Sequence, residues 1–535
     1  MFIKHTDEDI TYTVLCALRE MKTSGDNILS FEKGIYNFFP DYALEKVSCI
    51  SNHDNDGFKK IGIPIIDFDG ITVEGNGSEF VFNGIMVPFE ITNSKNITLK
   101  NLSIDYPVTT YSHATVIDSG KDFLKLKIWE NSPFEIENNR LKFDIPLTGK
   151  FEPWFFLDID KATDTITEGS SRTEIKNMNA SFEDDGTVLL TGRKISHVPK
   201  AGNTICMHLS WRYSPGFFIN ESKNIILSNV TVHHCLGMGV LCQLSENITL
   251  DELKVTPSSN RYASAYADAT HFVSCRGDIV LKNCLLEKHF DDCLNCHGIN
   301  LQIDKIIDRR TVLARLVHEQ QIGVELLKSG ENVELSSHTT LLPIAENKVE
   351  SVEILSRNLM IITFENELDE KVNVKDVIES TDAAPNLTVT GCTMRKAFPR
   401  GLLITTRGKV LVENNYINTS CSAIHISGDA NFWFESGCVR DVTIKNNTFY
   451  RCGAIRSNGK SKNYNVINIV PEISSPSAKD GYYHKNITVT DNKFITAHSG
   501  VLKAVSVENL IFKNNDIDID NPETTIIECT GKIEL

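Results

Sequence analysis

Asn224-IILSNVTV, followed 23 residues later by Asn247-ITLDELKV, is the pattern on which the fold turns. The same unit, a short apolar strand, a polar residue, an Asn and a second apolar run, recurs along the chain. Other copies are Asn96-ITLKNLSI, Asp278-IVLKNCLL, Asn386-LTVTGCTM, Lys409-VLVENNYI, Asp441-VTIKNNTF, Asn486-ITVTDNKF and Asn509-LIFKNNDI. The 23-residue interval returns between Asn386 and Lys409 and between Asn486 and Asn509, and it lengthens where a loop is inserted into a turn. A fixed period of this size is the mark of a solenoid. Alternating side chains on its strands predict an all-β, right-handed parallel β-helix. Its strands stack about 4.8 Å apart, with aliphatic residues pointing inward. The recurring Asn suits the bend between strands, because it tolerates left-handed backbone and can bond to the Asn of the next turn. A sandwich of short strands would have no reason to repeat at one period.

Two stretches break the repeat. Asp105 to about Trp211 contains SHATVIDSGKDFLKLKIWE and GTVLLTGRK, and Leu301 to Asp382 contains TVLARLVHEQ and LMIITFEN. Both alternate apolar and polar residues between turn residues, the pattern of antiparallel hairpins. They read as two small inserted β-barrel-like subdomains. The expected organisation is a cap and first turns over 1–104, an insertion over 105–211, and turns carrying acidic residues over 212–300. A second insertion over 301–382 and the closing turns over 383–535 complete it. Thr11 to Lys22 reads as a short helix with Val14, Leu15, Leu18 and Met21 on one face, placed before the first strands to cover the open end. After it, Asn27-ILSFEKGIYNFFP reads as a strand pair turned at Gly34.

Charge limits the partners. The chain has 54 basic and 70 acidic residues, a net charge of −16. Such a chain repels phosphate backbones and anionic lipid, so no nucleic-acid or membrane partner is expected. The N-terminus lacks the charged-then-apolar order of a signal peptide. The chain as it stands is therefore expected to be cytoplasmic, or secreted or periplasmic if a leader precedes it. Its 14 cysteines are scattered through strand-like runs, as buried free thiols would be. A projecting insertion makes room for a homodimer.

The chemistry gathers in Tyr266–Gly298, which reads YADATHFVSCRGDIVLKNCLLEKHFDDCLNCHG. Asp291 lies 23 residues after Asp268, with Asp292 beside it. One solenoid turn would bring these carboxylates together, and stacked carboxylates cannot all ionise freely. Glycoside hydrolysis needs a protonated carboxyl for the leaving oxygen and an ionised one to activate water. Otherwise the three are solvated turn residues or a cation site. Regular alternation puts Cys293 and Asn295 on one face and Asp292, Leu294 and Cys296 on the other. A bend near the pair is thus required if both aspartates reach substrate. His271, Asn295 and His297 are candidate substrate contacts from the same two turns. Cys293 and Cys296 lack a second ligand pair, and no metal site is expected. If the solenoid resumes in phase after the second insertion, Arg400 lies above the aspartates. Trp433 could then stack on a sugar ring and Glu435 accept hydroxyl hydrogen bonds.

The run YADATHF…CRGDI…DDCLNCHG resembles the α-1,3-galactosidases of glycoside hydrolase family 110. The likeness extends to ISNH, FVFNGIMVPFEI, IDYP, PRGLLITTRGKVLVENNYI and WFESGCVRDVTIKNN. It implies an exo-acting, inverting hydrolase of terminal α-1,3-linked galactose, acting on an α-galactosyl oligosaccharide or glycan. By position it implies Asp291 as general acid, Asp268 and Asp292 as the residues activating water, and no cofactor. Inversion requires the acid and base carboxyls to stand roughly 6.5–9.5 Å apart. The DD/HG pattern is shared more broadly with polygalacturonase-type β-helix hydrolases. A polysaccharide-cleaving enzyme and a non-catalytic glycan-binding β-helix therefore remain as alternatives.

Overall fold

A computed structural model describes all residues except 54–56, 146–148, 210–211, 259–260, 454–463, 496–499 and 520. The expected end of the first insertion, Trp211, lies outside the described residues. The chain is a parallel β-helix, and the repeat copies stack in register. Ile97, Ile225, Ile248, Ile279, Leu387, Val410, Val442, Ile487 and Leu510 form one column. Two residues further on, Leu99, Leu227, Leu250, Leu281, Val389, Val412, Ile444, Val489 and Phe512 form a second. All eighteen are buried in one continuous core. Burial of such columns, at about 25 cal/mol per Å² of apolar surface, is the main term holding the turns together.

Asparagine ladders fix the corners. Asn96, Asn224 and Asn247 have positive φ, and their side chains bond turn to turn: Asn224 Nδ2 to Asn96 Oδ1 at 2.9 Å and Asn247 Nδ2 to Asn224 Oδ1 at 3.0 Å. A second ladder, buried except at its last rung, joins Asn415, Asn447, Asn492 and Asn515 through Nδ2–Oδ1 bonds of 2.9–3.0 Å. The rungs of the second ladder also satisfy backbone groups that the bend removes from the strand ladder.

The first turns differ from the expectation in three ways. A strand, Phe2–Ile3, precedes the helix Thr11–Ser24 and pairs in parallel with Ile28–Phe31. Ile28–Phe31 and Ile35–Phe38 are not a hairpin. Each pairs in parallel with a different part of Thr72–Phe82, because both already belong to a solenoid turn. On the helix, Ala17 rather than Leu15 joins Val14, Leu18 and Met21 in the buried face.

Both interruptions leave the solenoid and return to it. After Lys95–Asp105 the chain forms an antiparallel sheet running in open order from Thr165–Ile166 to Asn179–Phe182. It re-enters at Phe217–Asn220. The tip of this sheet is bound to the solenoid flank, where Asp164 takes Lys288 at 3.0 Å and also Lys396, and Glu168 takes Arg451. Leu301–Ile306 to Val377–Ser380 form a closed six-stranded antiparallel barrel with its own core. Arg407 anchors it, donating from Nη1 to Glu334 at 3.1 Å and from Nε to Glu379 at 3.0 Å. Leu402–Thr405 then stacks on Leu294–Ile299 with Leu402 opposite Leu294, so the solenoid resumes in phase. The fourteen cysteines are free, and most are buried.

Candidate active site

One column of strands carries the site: Val240–Gln243, Thr270–Val273, Leu294–Ile299, Leu402–Thr405 and Ile424–Ile426. Their outward positions align Leu241, His271, Asn295, Leu403 and His425. Three residues before each of the last four stand Asp268, Asp292, Arg400 and Ser422, at the bends that lead into the strands. All four line one cavity of about 640 Å³, together with Asp291, His271, Asn295, Trp433 and Glu435. That size is in the range of small-molecule sites.

The register corrects the expected spacing. His271 pairs with Asn295, so this turn is 24 residues long and Asp268 stacks on Asp292, not on Asp291. The Asp292 N–H donates to Asp268 Oδ1 at 3.3 Å. The extra residue is taken up in a bulge between Arg276 and Ile279, which pair with Glu246 and Ile248, while the chain bends over Asp291 to Cys293 before the strand begins at Leu294. The bend overrides alternation. Cys293 and Leu294 both enter the core with Cys296, while Asp291 and Asp292 both face the cavity. Cys293 therefore does not share a face with Asn295.

Each member of the acidic pair has its own arginine. Arg212 Nη2 donates to Asp291 Oδ2 at 2.6 Å, and Arg400 Nε donates to Asp292 Oδ1 at 2.7 Å. The Asp268 Oδ2 instead meets His271 Nδ1 at 2.6 Å, with the charges of Arg212 and Arg400 close enough to act on it. The electrostatics follow. Burial, reinforced by Asp291 and Asp292, raises Asp268 well above the usual carboxylate range. Burial also raises Asp292, to about 6, against the pull of the Arg400 guanidinium. Burial lowers His271 well below an ordinary imidazole, with His297 and Arg212 adding to the effect. Asp268 and Asp292, though neighbours, thus differ in proton affinity.

His297 does not line the cavity. It stands behind His271, with the two Nε2 atoms 2.9 Å apart. The strand end beyond it is covered by Glu435–Ser436, which pairs antiparallel with Gly298 and Ile299. Glu435 Oε1 lies 3.6 Å from His297 Nε2. Trp433 is 39 % exposed at the cavity mouth, packed on His318 of the barrel at 4.5 Å between ring centroids. Its loop is held by Asp429, whose carboxylate accepts the N–H groups of Asn431, Phe432, Trp433 and Phe434.

Several lining residues were not legible as site residues. Arg212 follows the first insertion and has no repeat phase. Arg172 comes from the insertion itself, its guanidinium over the rings of Phe155 and Phe398 at 5.2 and 5.6 Å. Asn52 belongs to the first turns, and Glu472 to a loop near the C-terminal turns. Burial raises Glu472 above its ordinary value, with Asp429 adding to it. His425 did carry a signal, since it sits one turn from Leu403 in strand phase. Asn52 Oδ1, Asn295 Oδ1 and Ser422 Oγ are buried and have no hydrogen-bond partner among the described residues. Buried polar atoms of this kind are poised for hydroxyl groups.

A parallel β-helix with six carboxyls, three arginines and unmatched hydrogen-bonding atoms lining one cavity has the make-up of a β-helix glycoside hydrolase. Comparison with known proteins narrows the class. Residues 311–378, within the closed barrel, match the family model described as GLAA-B beta-barrel domain II. Alpha-1,3-galactosidase A of Shewanella woodyi is 32 % identical over 514 residues, covering 94 % of this chain and 82 % of that protein. Alpha-1,3-galactosidase B of Bacteroides fragilis strain YCH46 is 35 % identical over 512 residues, covering 92 % and 85 %. The chain belongs to this α-1,3-galactosidase family, glycoside hydrolase family 110. Among solved structures, a tailspike protein mutant of E. coli bacteriophage HK620 in complex with pentasaccharide aligns with a TM-score of 0.43 at 9 % identity. That alignment covers 98 % of this chain and 60 % of that one.

Proposed function

We propose that the protein is an exo-acting, inverting α-1,3-galactosidase that removes terminal galactose from oligosaccharides or glycans. The reading rests above all on the stacking of Asp268 on Asp292 with Asp291 alongside, in a cavity walled on two sides. Ser171 and Arg172 of the first insertion form one wall, and the Phe432–Trp433 loop, braced by the barrel, forms another. Walls of this kind suit the end of a chain better than its middle. Membership of the α-1,3-galactosidase family supports this choice of sugar and linkage.

In this mechanism Asp291 protonates the glycosidic oxygen as its bond to the anomeric carbon breaks. Asp268 and Asp292 orient a water on the opposite face and take its proton as the new C–O bond forms. Arg400 keeps Asp292 ionised at working pH. Asn295, Asn52 and Ser422 hold sugar hydroxyls, and Trp433 covers a ring face. The direct test is hydrolysis of Gal-α-1,3-Gal and of the blood-group-B trisaccharide, followed by NMR. β-Galactose is expected as the first-formed anomer. α-Galactose first would refute inversion, and failure to cleave either substrate would refute the specificity.

The arginine pairing sets a pH dependence. Arg400 lowers the proton affinity of Asp292, which otherwise rises further with burial. Loss of that charge leaves less Asp292 ionised at a given pH. In Arg400→Gln, the acidic limb of the kcat/KM profile, expected near pH 6 in the natural enzyme, moves to higher pH. A limb that stays in place while activity falls uniformly would show that Arg400 binds sugar and does not govern the carboxylate.

A further inference from the structure

The Asp268 side chain presents a conflict in the reading above. As a base it must be ionised, yet it is 3 % exposed, faces Asp291 and Asp292, and holds its proton tightly. The hydrogen-bond chain behind it resolves the conflict. Asp268 Oδ2 lies 2.6 Å from His271 Nδ1, His271 Nε2 lies 2.9 Å from His297 Nε2, and His297 Nδ1 lies 2.7 Å from the Gly298 carbonyl.

The protons can be counted from the far end. A carbonyl oxygen only accepts, so His297 Nδ1 carries a hydrogen. The link between the two Nε2 atoms needs one hydrogen, and so does the link between His271 and Asp268. A carboxylate with two neutral imidazoles supplies only two hydrogens for these three positions, leaving one short contact with lone pairs opposed. The geometry therefore calls for a third hydrogen and a net charge of zero on the three groups. That surplus proton has three places to sit without moving a heavy atom. It can make Asp268 a carboxylic acid, His271 an imidazolium, or His297 an imidazolium. Glu435 Oε1, 3.6 Å from His297 Nε2, favours the last.

We propose that Asp268, His271 and His297 form one proton-holding unit in which the two histidines are positioning residues that accept the proton of Asp268 and so free it to act as base. This rests on Asp268 acting on the attacking water. Before reaction, the Asp268 proton passes to His271 and the His271 Nε2 proton to His297, leaving Asp268 as carboxylate. The attacking water then gives its proton to Asp268 while its oxygen bonds to the anomeric carbon. The leaving oxygen takes the proton of Asp291. The unit now carries one proton more than at the start; His297 releases it to Glu435, which borders the cavity and passes it to solvent, and Asp291 regains from solvent the proton it gave the leaving oxygen. The charged and titratable groups facing the unit are Asp291, Asp292, Arg212 and Arg400 around Asp268, His53 and Arg212 around His271, and Glu435 beside His297.

The test has two parts. In His271→Asn an amide can hold Asp268 but cannot accept a proton, so Asp268 must ionise against its buried surroundings. The acidic limb of kcat/KM is then expected to move up by more than one pH unit, with activity partly recovered at high pH. His297→Gln, which keeps an acceptor for His271, is expected to shift the limb in the same direction by less. Profiles lowered at every pH with limbs unmoved would overturn the proposal and leave the histidines a structural role. The second part does not depend on activity or on any variant. In ¹⁵N-histidine-labelled natural protein, NMR is expected to find His297 Nδ1 protonated. Finding that nitrogen bare, with its ring protonated only at Nε2, would overturn the proton count. If hydrolysis instead yields α-galactose first, the role of Asp268 fails while the NMR result still stands on its own.

Discussion

Replacing Asp291 by Asn is expected to leave the fold and sugar binding intact and to lower turnover on Gal-α-1,3-Gal by about 10²–10⁴-fold. The amide keeps the shape of the carboxyl and can still contact Arg212, whose Nη2 holds Asp291 Oδ2 in the natural protein. It cannot deliver a proton to a departing sugar oxygen. The bond then has to break with a poor leaving group. The prediction is specific to general acid catalysis because the loss should shrink when no proton is needed. On an aryl galactoside with an acidic phenol as leaving group, Asp291→Asn should recover most of the natural rate. Binding of Gal-α-1,3-Gal to the variant is followed by calorimetry. An equal loss on both substrates would assign Asp291 to water activation instead, and unchanged turnover would remove it from the chemistry.

The second large effect concerns the scaffold. Asn447 is buried, and its side chain serves two neighbouring turns. Its Oδ1 accepts from the backbone N and Nδ2 of Asn415, both at 3.0 Å. Its Nδ2 donates to the Val412 carbonyl and to Asn492 Oδ1, both at 2.9 Å. Asn447→Ala leaves the Asn415 N–H without an acceptor in the core and deprives the Val412 carbonyl of a donor. Each such loss costs about 1–3 kcal/mol, so a destabilisation of about 2–5 kcal/mol is expected. The midpoint of urea unfolding should fall accordingly, and amide hydrogens of Lys409–Glu413 should exchange faster. A change below about 1 kcal/mol would mean that water replaces the rung, as it can on the exposed ladder of Asn96, Asn224 and Asn247.

The solenoid was legible because a stacked architecture writes its spacing into the chain. Each copy must put an apolar residue over the one below, and most put an Asn where the backbone turns left-handed. Nine copies kept that phase, and Ile225, Ile248 and Ile279 stand in one column as the period requires. The same logic reached Asp268, Asp292 and Arg400, since the phase survives the second insertion. It reached His271 and Asn295 for the same reason.

What failed to show was whatever lies off the repeat. The helix face took Ala17 over Leu15, and the strands around Gly34 joined a turn rather than each other. Alternation could not say that Asp291 to Cys293 would bend, because strand periodicity holds only within a strand and this segment lies just before Leu294–Ile299 begins. Nor did hairpin patterns distinguish the open sheet of the first insertion from the closed barrel of the second.

By itself, then, the sequence determined the helical stack, its core columns, its asparagine corners and the placing of two carboxyls and an arginine on one wall. These are one-dimensional properties, set by a period. Only the tertiary structure brought in Arg212 and Arg172, from beyond or within an insertion, and Asn52 from the opening turns. It alone set His297 behind His271 and paired Asp268 with His271 while Asp291 and Asp292 each bond an arginine. Those differences come from three-dimensional packing of segments far apart in the chain. They set the surroundings of each carboxyl, on which the proposed roles depend.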